Sequence, residues 1–196
     1  MQYYIYSLFC FLLPGTVWLI CNRRMIADKA YKVRHIIWIY IYMFYGYLAM
    51  QEAAGIGTIW DLITYGKLDN SINLIPFSSE GAMTYILNII MFMPLGFLLP
   101  LIWKNFRNAK KVVLMGFLMS LAIEICQLFN LRTTDIDDLM MNTLGALAGY
   151  CCWKVFSLIF RNAGTKCMEI KKSEPVIYMF GGILGLFLLY NWRVFD

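Results

Sequence analysis

The sequence predicts an all-α protein, a polytopic transmembrane helical bundle of about six spans with both chain ends outside (N-out and C-out). Its composition is the first reason: 61% of the 196 residues are hydrophobic and 15% are charged, whereas a soluble domain is about half apolar and a quarter charged. The second reason is that apolar stretches of about 17–23 residues recur, each long enough to cross a hydrocarbon core of roughly 30 Å. They lie near residues 2–20, 35–54, 84–103, 112–130, 138–160 and 175–193.

The distribution of positive charge predicts the orientation. All 17 lysines and arginines except Lys67, Arg132 and Arg193 lie in or beside the connections after the first, third and fifth spans. Cytoplasmic loops carry an excess of basic residues, so these three connections are predicted to be cytoplasmic. The net charge of +5 therefore reflects topology, and no nucleic-acid partner is expected.

Each of the first three spans has one unusual feature. The first is interrupted by Pro14-Gly15 and lacks a basic leading segment, so we expect it to be retained and not removed as a signal peptide. The second begins at His35, the only histidine, for which we expect no catalytic role because it is alone at the cytoplasmic boundary. Pro94 favours a kink in the third span. Before that span, residues 55–83 predict an interfacial helix, a lid over a pocket or a plain connector.

The last three spans carry small and polar residues at helical spacing. One stripe of span four contains Gly116, Ser120, Glu124 and Gln127, and one stripe of span five contains Asp135, Asp138, Asn142, Gly145 and Gly149. We expect these two stripes to face each other, because glycines allow helices to approach closely. In span six, the glycines within residues 181–185 predict a surface for association with another protein.

Strongly polar residues within the spans collect near the outer surface. A charged side chain inside hydrocarbon costs about 2.5–3.5 kcal/mol on insertion scales, so it requires a partner or a function. Glu124 is the clearest example, since it lies roughly 9 Å inside span four at 1.5 Å per residue. The inner halves of the spans are expected to be apolar, which favours one shared pocket that opens outward. The candidate ligand-binding residues are Asn88, Glu124, Gln127, Arg132, Asp135, Asp138 and Asn142.

A purely structural role for these residues is the alternative. Thr134 or Asp135, followed by acids in the next turn, has the pattern of a helix N-cap. Arg132 would then neutralise a neighbouring carboxylate, and the glycines would serve packing alone. Glu124 favours a functional site, because helix capping does not require an acid so far inside span four.

The order of these motifs resembles the VanZ-like family, which is named for a teicoplanin-resistance protein. The resemblance covers roughly residues 36–160: NLIPF at 73–77, NIIMFMPLGFLLPL at 88–101, and the polar and glycine positions from 124 to 149. Together with the spans and the charge pattern, it divides the chain into three parts: residues 1–34, a first transmembrane helix with a basic cytoplasmic loop; residues 35–160, the VanZ-like helical core; and residues 161–196, a second basic loop with a last transmembrane helix. The first and last spans fall outside the resemblance. It also implies a multi-pass protein of the bacterial plasma membrane that lowers sensitivity to lipoglycopeptide antibiotics.

Two hypotheses describe the site, and whether the protein is an enzyme stays open. In the first, Arg132 grips a phosphate or carboxylate of an envelope lipid, glycan headgroup or lipoglycopeptide, while Asn88, Gln127 and Asn142 bind its polar groups. In the second, Glu124 is the general acid or base of an enzyme that modifies an envelope lipid or polymer. Asp135 and Asp138 would then hold a divalent cation.

The second hypothesis is weakened by the lack of a nearby nucleophile. No cofactor or metal site is expected either, because no metal-binding spacing of histidine or cysteine occurs in the sequence. Transport through the bundle is less favoured, since no polar path continues to the cytoplasmic side. The lipid bilayer is the expected surrounding, and the sequence does not determine the oligomeric state.

Overall fold

The computed structural model of the chain describes residues 2–22, 29–54, 72–77, 81–128, 134–160 and 171–190. The described part contains six α-helices and two very short strands, so the predicted all-α class is confirmed. The helices are α1 (Gln2–Asn22), α2 (Lys29–Ala49), α3 (Ala82–Ile102), α4 (Ala109–Leu128), α5 (Ile136–Ile159) and α6 (Glu174–Leu189). A π-helical turn, Met50–Ala54, extends α2, and a 3₁₀ turn, Lys104–Phe106, follows α3. The strands are β1 (Ile72–Asn73) and β2 (Thr134–Asp135), which pair in parallel.

The helices coincide with the six predicted apolar stretches, although α2 begins earlier than expected. Its first turns contain the sequence KAYKVR, whose lysines, arginine and alanine favour helix and extend it beyond the apolar part. Within the described residues, α1 (from Tyr3), α3 and α4 are long and apolar enough to cross a membrane, and α6 is a shorter apolar helix. Crossing by all six helices and the predicted orientation remain predictions. Residues 55–71 and 78–80, in the segment predicted to form an interfacial helix, a lid or a plain connector, lie outside the described residues.

The centre of the bundle is the contact between α3 and α5, which glycines bring unusually close together. A side-chain carbon added at Gly145 would meet the backbone of Ile89, and one added at Gly149 would meet the backbone of Met93. These two glycines therefore pack on α3, and the prediction that they face span four is wrong. The 100° periodicity correctly groups residues on one stripe, but it does not determine which neighbouring helix that stripe contacts.

The other half of the predicted seam does join α4 to α5. Gly116 of α4 lies against Ala146 of α5. About one turn nearer the polar end, Asn142 Nδ2 donates a hydrogen bond of 3.0 Å to Ser120 Oγ. The α5 helix thus uses one side for α3 and another for α4.

The first and last helices pack on each other. Gly182 lies against the ring of Phe11, and Gly185 lies against the Cys10 carbonyl and the Pro14 ring. The predicted association surface in span six is therefore wrong as an intermolecular contact, because these glycines are covered by α1 of the same chain. Pro14 itself lies within the continuous α1 helix.

Candidate functional site

The short parallel strands bring two distant connections together beside the α3, α4 and α5 helices. Asn73 of β1 is aligned with Asp135 of β2, and Asn73 Nδ2 donates to Asp135 Oδ2 at 3.1 Å. The other side-chain atom, Asn73 Oδ1, accepts from the Ile75 backbone N–H at 3.1 Å. Asn73 therefore shapes its own turn and also attaches that turn to the start of α5.

Asp135 is the N-cap of α5, as predicted by the interpretation that gave these residues a purely structural role. Its carboxylate accepts from the Asp137 backbone N–H at 2.9 Å, which satisfies one of the free N–H groups of the first helical turn. The Asp135 backbone N–H in turn donates to Glu124 Oε2 at 3.2 Å. This hydrogen bond joins the start of α5 to the end of α4 through the Glu124 carboxylate, which is only 4% exposed.

Asp137 is the most thoroughly enclosed acid of the site, with no exposed surface. Both of its carboxylate oxygens accept from the Phe77 backbone N–H, at 2.8 and 2.9 Å. Tyr85 on α3 donates its hydroxyl to Oδ2 at 2.8 Å. Phe77 has a φ of 61°, which is uncommon for a residue with a side chain. Asp137 thus holds the turn of residues 73–77 in an unfavourable backbone conformation.

Sequence reasoning missed the role of Asp137, because it considered this residue only as a first-turn acid of the helix. A signal was present in the printed sequence: Asp135, Asp137 and Asp138 are more acids than capping requires. The additional acid binds the turn that contains Pro76 and Phe77.

Asp138 lies at the α3–α5 seam, and Asn142, one turn along the same helix, lies against Ser120 of α4. Asn88 Nδ2 of α3 donates to Asp138 Oδ1, and both residues are half-buried. Asn142 lies one turn deeper in α5 and is 2% exposed. Its Nδ2 donates to Ser120, and its Oδ1 has no hydrogen-bond partner among the described residues. The two residues therefore present acceptor atoms on one helix face.

Gln127 lies on the other flank of the site, against the π-helical turn of α2. Its Nε2 donates to the Ala53 carbonyl at 3.0 Å. Gln51, in the same turn, has a buried Oε1 with no hydrogen-bond partner among the residues that the structure describes. The π-helical turn thereby connects α2 to the polar end of α4.

We refer to Asn73, Tyr85, Asn88, Ser120, Glu124, Gln127, Asp135, Asp137, Asp138 and Asn142 as the polar cluster. It contains six of the seven predicted site residues, all at one end of the α3–α4–α5 unit. The seventh, Arg132, lies outside the described residues. Within the described residues, no group of three or more histidine, cysteine, aspartate or glutamate side chains is arranged to hold a metal ion.

A second buried polar centre lies at the opposite end of the bundle. His35 Nε2 of α2 lies 3.0 Å from Glu174 Oε1 of α6, and Trp103 Nε1 donates to Glu174 Oε2 at 3.0 Å. Tyr178 also donates to Oε1, at 3.0 Å. Glu174 is fully buried and His35 is 5% exposed.

Two sequence-based expectations are therefore wrong. His35 is not alone, and the end of the bundle that bears the basic connections is not purely apolar. Glu174 precedes the apolar run of span six, so we expected it in a loop. Two of its partners, His35 and Trp103, are distant from it in the sequence.

Comparison with known proteins places these features in a family. A model of the VanZ/LLP1 family matches residues 32–158, which include every described residue of the polar cluster. The Protein VanZ of Enterococcus faecium is 36% identical over 134 residues, covering 67% of this chain and 77% of that relative. No solved structure gives a significant match. The extent of the family match and the identity to this relative show that the chain belongs to the VanZ-like family.

Proposed function

We propose that this protein acts in the bacterial plasma membrane and lowers sensitivity to teicoplanin-type lipoglycopeptides by binding an envelope component at the polar cluster. Membership of the VanZ-like family supports the association with resistance. The three helices that are long and apolar enough to cross a membrane support the location. The cluster itself supports binding as the mode of action.

The proposed orientation has the polar cluster on the outer side. Asn88 and Trp103 lie near opposite ends of α3, about 22 Å apart along a helix that rises 1.5 Å per residue. Asn88 contacts Asp138 of the polar cluster, and Trp103 contacts Glu174 beside the basic connections. Because basic connections remain in the cytoplasm, the polar cluster faces outward, near the outer leaflet.

The observation that carries the proposal is the half-buried pair of Asn88 and Asp138. Most polar groups around it hold the protein together: Glu124 binds the backbone of β2, and Asp137 binds the turn at Phe77. Asp138 has one carboxylate oxygen engaged by Asn88. Its second oxygen is available to a ligand that enters beside α3, within a rigid frame that reduces the entropy cost of binding.

The alternative, an enzyme with Glu124 as general acid or base, is less well supported by this geometry. Glu124 is buried, and one of its oxygens accepts the Asp135 backbone N–H. A general acid or base must come within hydrogen-bond reach of the substrate proton. Asp138 is better exposed than Glu124 for contact with a ligand, and contact alone requires no chemical step.

The test measures teicoplanin susceptibility of a sensitive bacterium that expresses the chain or its variants at equal membrane levels. Asp138→Asn keeps the shape and removes the charge, so it is expected to abolish most of the protection. Thr143→Val is the matched control, because the Thr143 hydroxyl donates to Leu139 of its own helix at 2.7 Å and lies outside the cluster. Full protection by Asp138→Asn would refute the binding role of the cluster.

A parallel comparison distinguishes the enzyme. Lipids and wall polymers are extracted from cells with and without the chain and compared by mass spectrometry. The binding proposal expects no new covalent species. A new species that disappears in Glu124→Gln would instead favour catalysis.

A further inference from the structure

The exposed side of the polar cluster presents acceptor atoms. Asp138 offers its second carboxylate oxygen, since Asn88 supplies its one hydrogen bond from the described residues. Asp135 and Asp137 add negative charge beside it. A group that binds here is therefore favoured if it donates hydrogen bonds and carries positive charge.

Asn142 provides an independent observation in the same place. Residues four apart on a helix lie on the same face, so Asn142 is one turn below Asp138 on α5, where its amide also contacts Ser120 of α4. Its Oδ1 is buried and has no hydrogen-bond partner in the part of the chain that the structure describes, while its Nδ2 donates to Ser120. Leaving a buried acceptor unpaired costs free energy, so this oxygen indicates a place for one more donor.

The surface next to this polar face is apolar. Ile86, Leu87 and Ile90 of α3, which flank Asn88, are 51%, 56% and 54% exposed. A ligand that reaches Asp138 from this direction passes along aliphatic side chains before it meets the carboxylate. That arrangement suits an amphiphile, whose chain lies on α3 and whose head enters the seam.

From these observations we infer that the polar cluster binds a primary ammonium group carried by an amphiphile. The ammonium donates to the free oxygen of Asp138 and to Asn142 Oδ1, and its charge is balanced by the carboxylate. This inference rests on the proposed function, because it specifies the chemical class of the ligand at the same site. It differs from the anion predicted for Arg132, which lies outside the described residues.

The test uses the purified full chain in nanodiscs with three phospholipids of identical acyl chains. Phosphatidylethanolamine has N–H donors and a positive charge, phosphatidylcholine has the charge without donors, and phosphatidylglycerol has hydroxyls without the charge. All three contain the phosphodiester, so the comparison isolates the amine. Bound lipid is measured by native mass spectrometry after release from the nanodisc.

Phosphatidylethanolamine is expected to be retained at least tenfold over the other two lipids, a ratio that corresponds to about 1.4 kcal/mol. Asp138→Asn and Asn142→Leu are each expected to reduce that preference at least fivefold, and Thr143→Val is expected to keep it. Equal retention of phosphatidylcholine, or a preference for phosphatidylglycerol, overturns the inference. Because the lipid preference is read on the wild-type chain, it decides the matter even where a variant does not fold.

Free ethanolamine identifies the source of the amine. Competition by ethanolamine at the same concentration as the lipid would show that the amine alone is recognised, without a contribution from the acyl chains. That result would overturn the inference that the ligand is an amphiphile. Failure to compete supports it. The readout is independent of drug sensitivity: protection without lipid preference contradicts this inference alone, and lipid preference without protection contradicts the proposed function alone.

Discussion

Replacing Asp137 by alanine is expected to release the turn of residues 73–77 from α5. The carboxylate has no exposed surface and receives the Phe77 backbone N–H and the Tyr85 hydroxyl at 2.8–2.9 Å. Alanine accepts neither hydrogen bond, so both donors would lose the Asp137 carboxylate as acceptor. Phe77 has a φ of 61°, so the turn is expected to relax once its N–H no longer has the Asp137 carboxylate as acceptor.

The size of the effect follows from the contacts. Two hydrogen bonds to a charged acceptor contribute about 1.5–3 kcal/mol each, or roughly 3–6 kcal/mol together. A residue held at an unfavourable backbone conformation stores about 1–3 kcal/mol, which is recovered when the turn opens. The midpoints of these ranges leave a net loss of about 2–3 kcal/mol. Tyr85→Phe removes one of the two donors and leaves the turn held by the Phe77 N–H, so no strain is recovered and the expected cost is about 1.5–3 kcal/mol.

Hydrogen exchange of the chain in detergent micelles measures this change. Peptides that cover residues 72–77 are expected to exchange roughly 30–150-fold faster in Asp137→Ala, because 1.4 kcal/mol corresponds to about tenfold in a local opening equilibrium. Peptides from α6, at the far side of the bundle, serve as the internal control. Unchanged exchange at 72–77 would show that the carboxylate does not hold the turn.

Two further changes probe the packing. Gly149→Leu would force its side chain against the backbone of Met93, so the midpoint of thermal unfolding should fall by an amount equivalent to about 1–3 kcal/mol or more. Gly81→Ala is the control, because Gly81 lies in open space. Equal midpoints for the two variants would contradict the close α3–α5 contact. Glu174→Ala leaves three buried donor groups without their acceptor and should cost about 3–5 kcal/mol. Exposed Lys172→Ala should change little, and a similar midpoint for both variants would show that the buried pair is unimportant.

The positions of the helices were largely predictable from the sequence, because apolar length and charge distribution are local properties of the chain. The meeting of Asn88, Glu124, Asp135 and Asn142 at one end was predictable for a related reason. Polar groups within apolar helices at similar depth can satisfy one another only by lying together.

The helix or residue that each of these residues contacts was less predictable from the sequence. Helical periodicity places Gly145 and Gly149 on one stripe, yet α3 and α4 both lie beside α5, and only packing decides between them. The pair of His35 and Glu174 joins residues 139 positions apart, which no local pattern records. The same limit applies to Asp137, whose partner Phe77 is 60 positions away.

The pairing of α1 with α6 has a consequence for the order of assembly. The Tyr6 hydroxyl donates to the Leu189 carbonyl, 183 residues later, at 3.0 Å. At about 5–20 residues per second of synthesis, α1 exists for roughly 10–40 s before its partner emerges from the ribosome. Throughout that interval the part of α1 that Gly182 and Gly185 later cover has neither glycine against it, whereas α3, α4 and α5 meet neighbours made moments before. The contact between α1 and α6 is therefore among the last in the bundle to form.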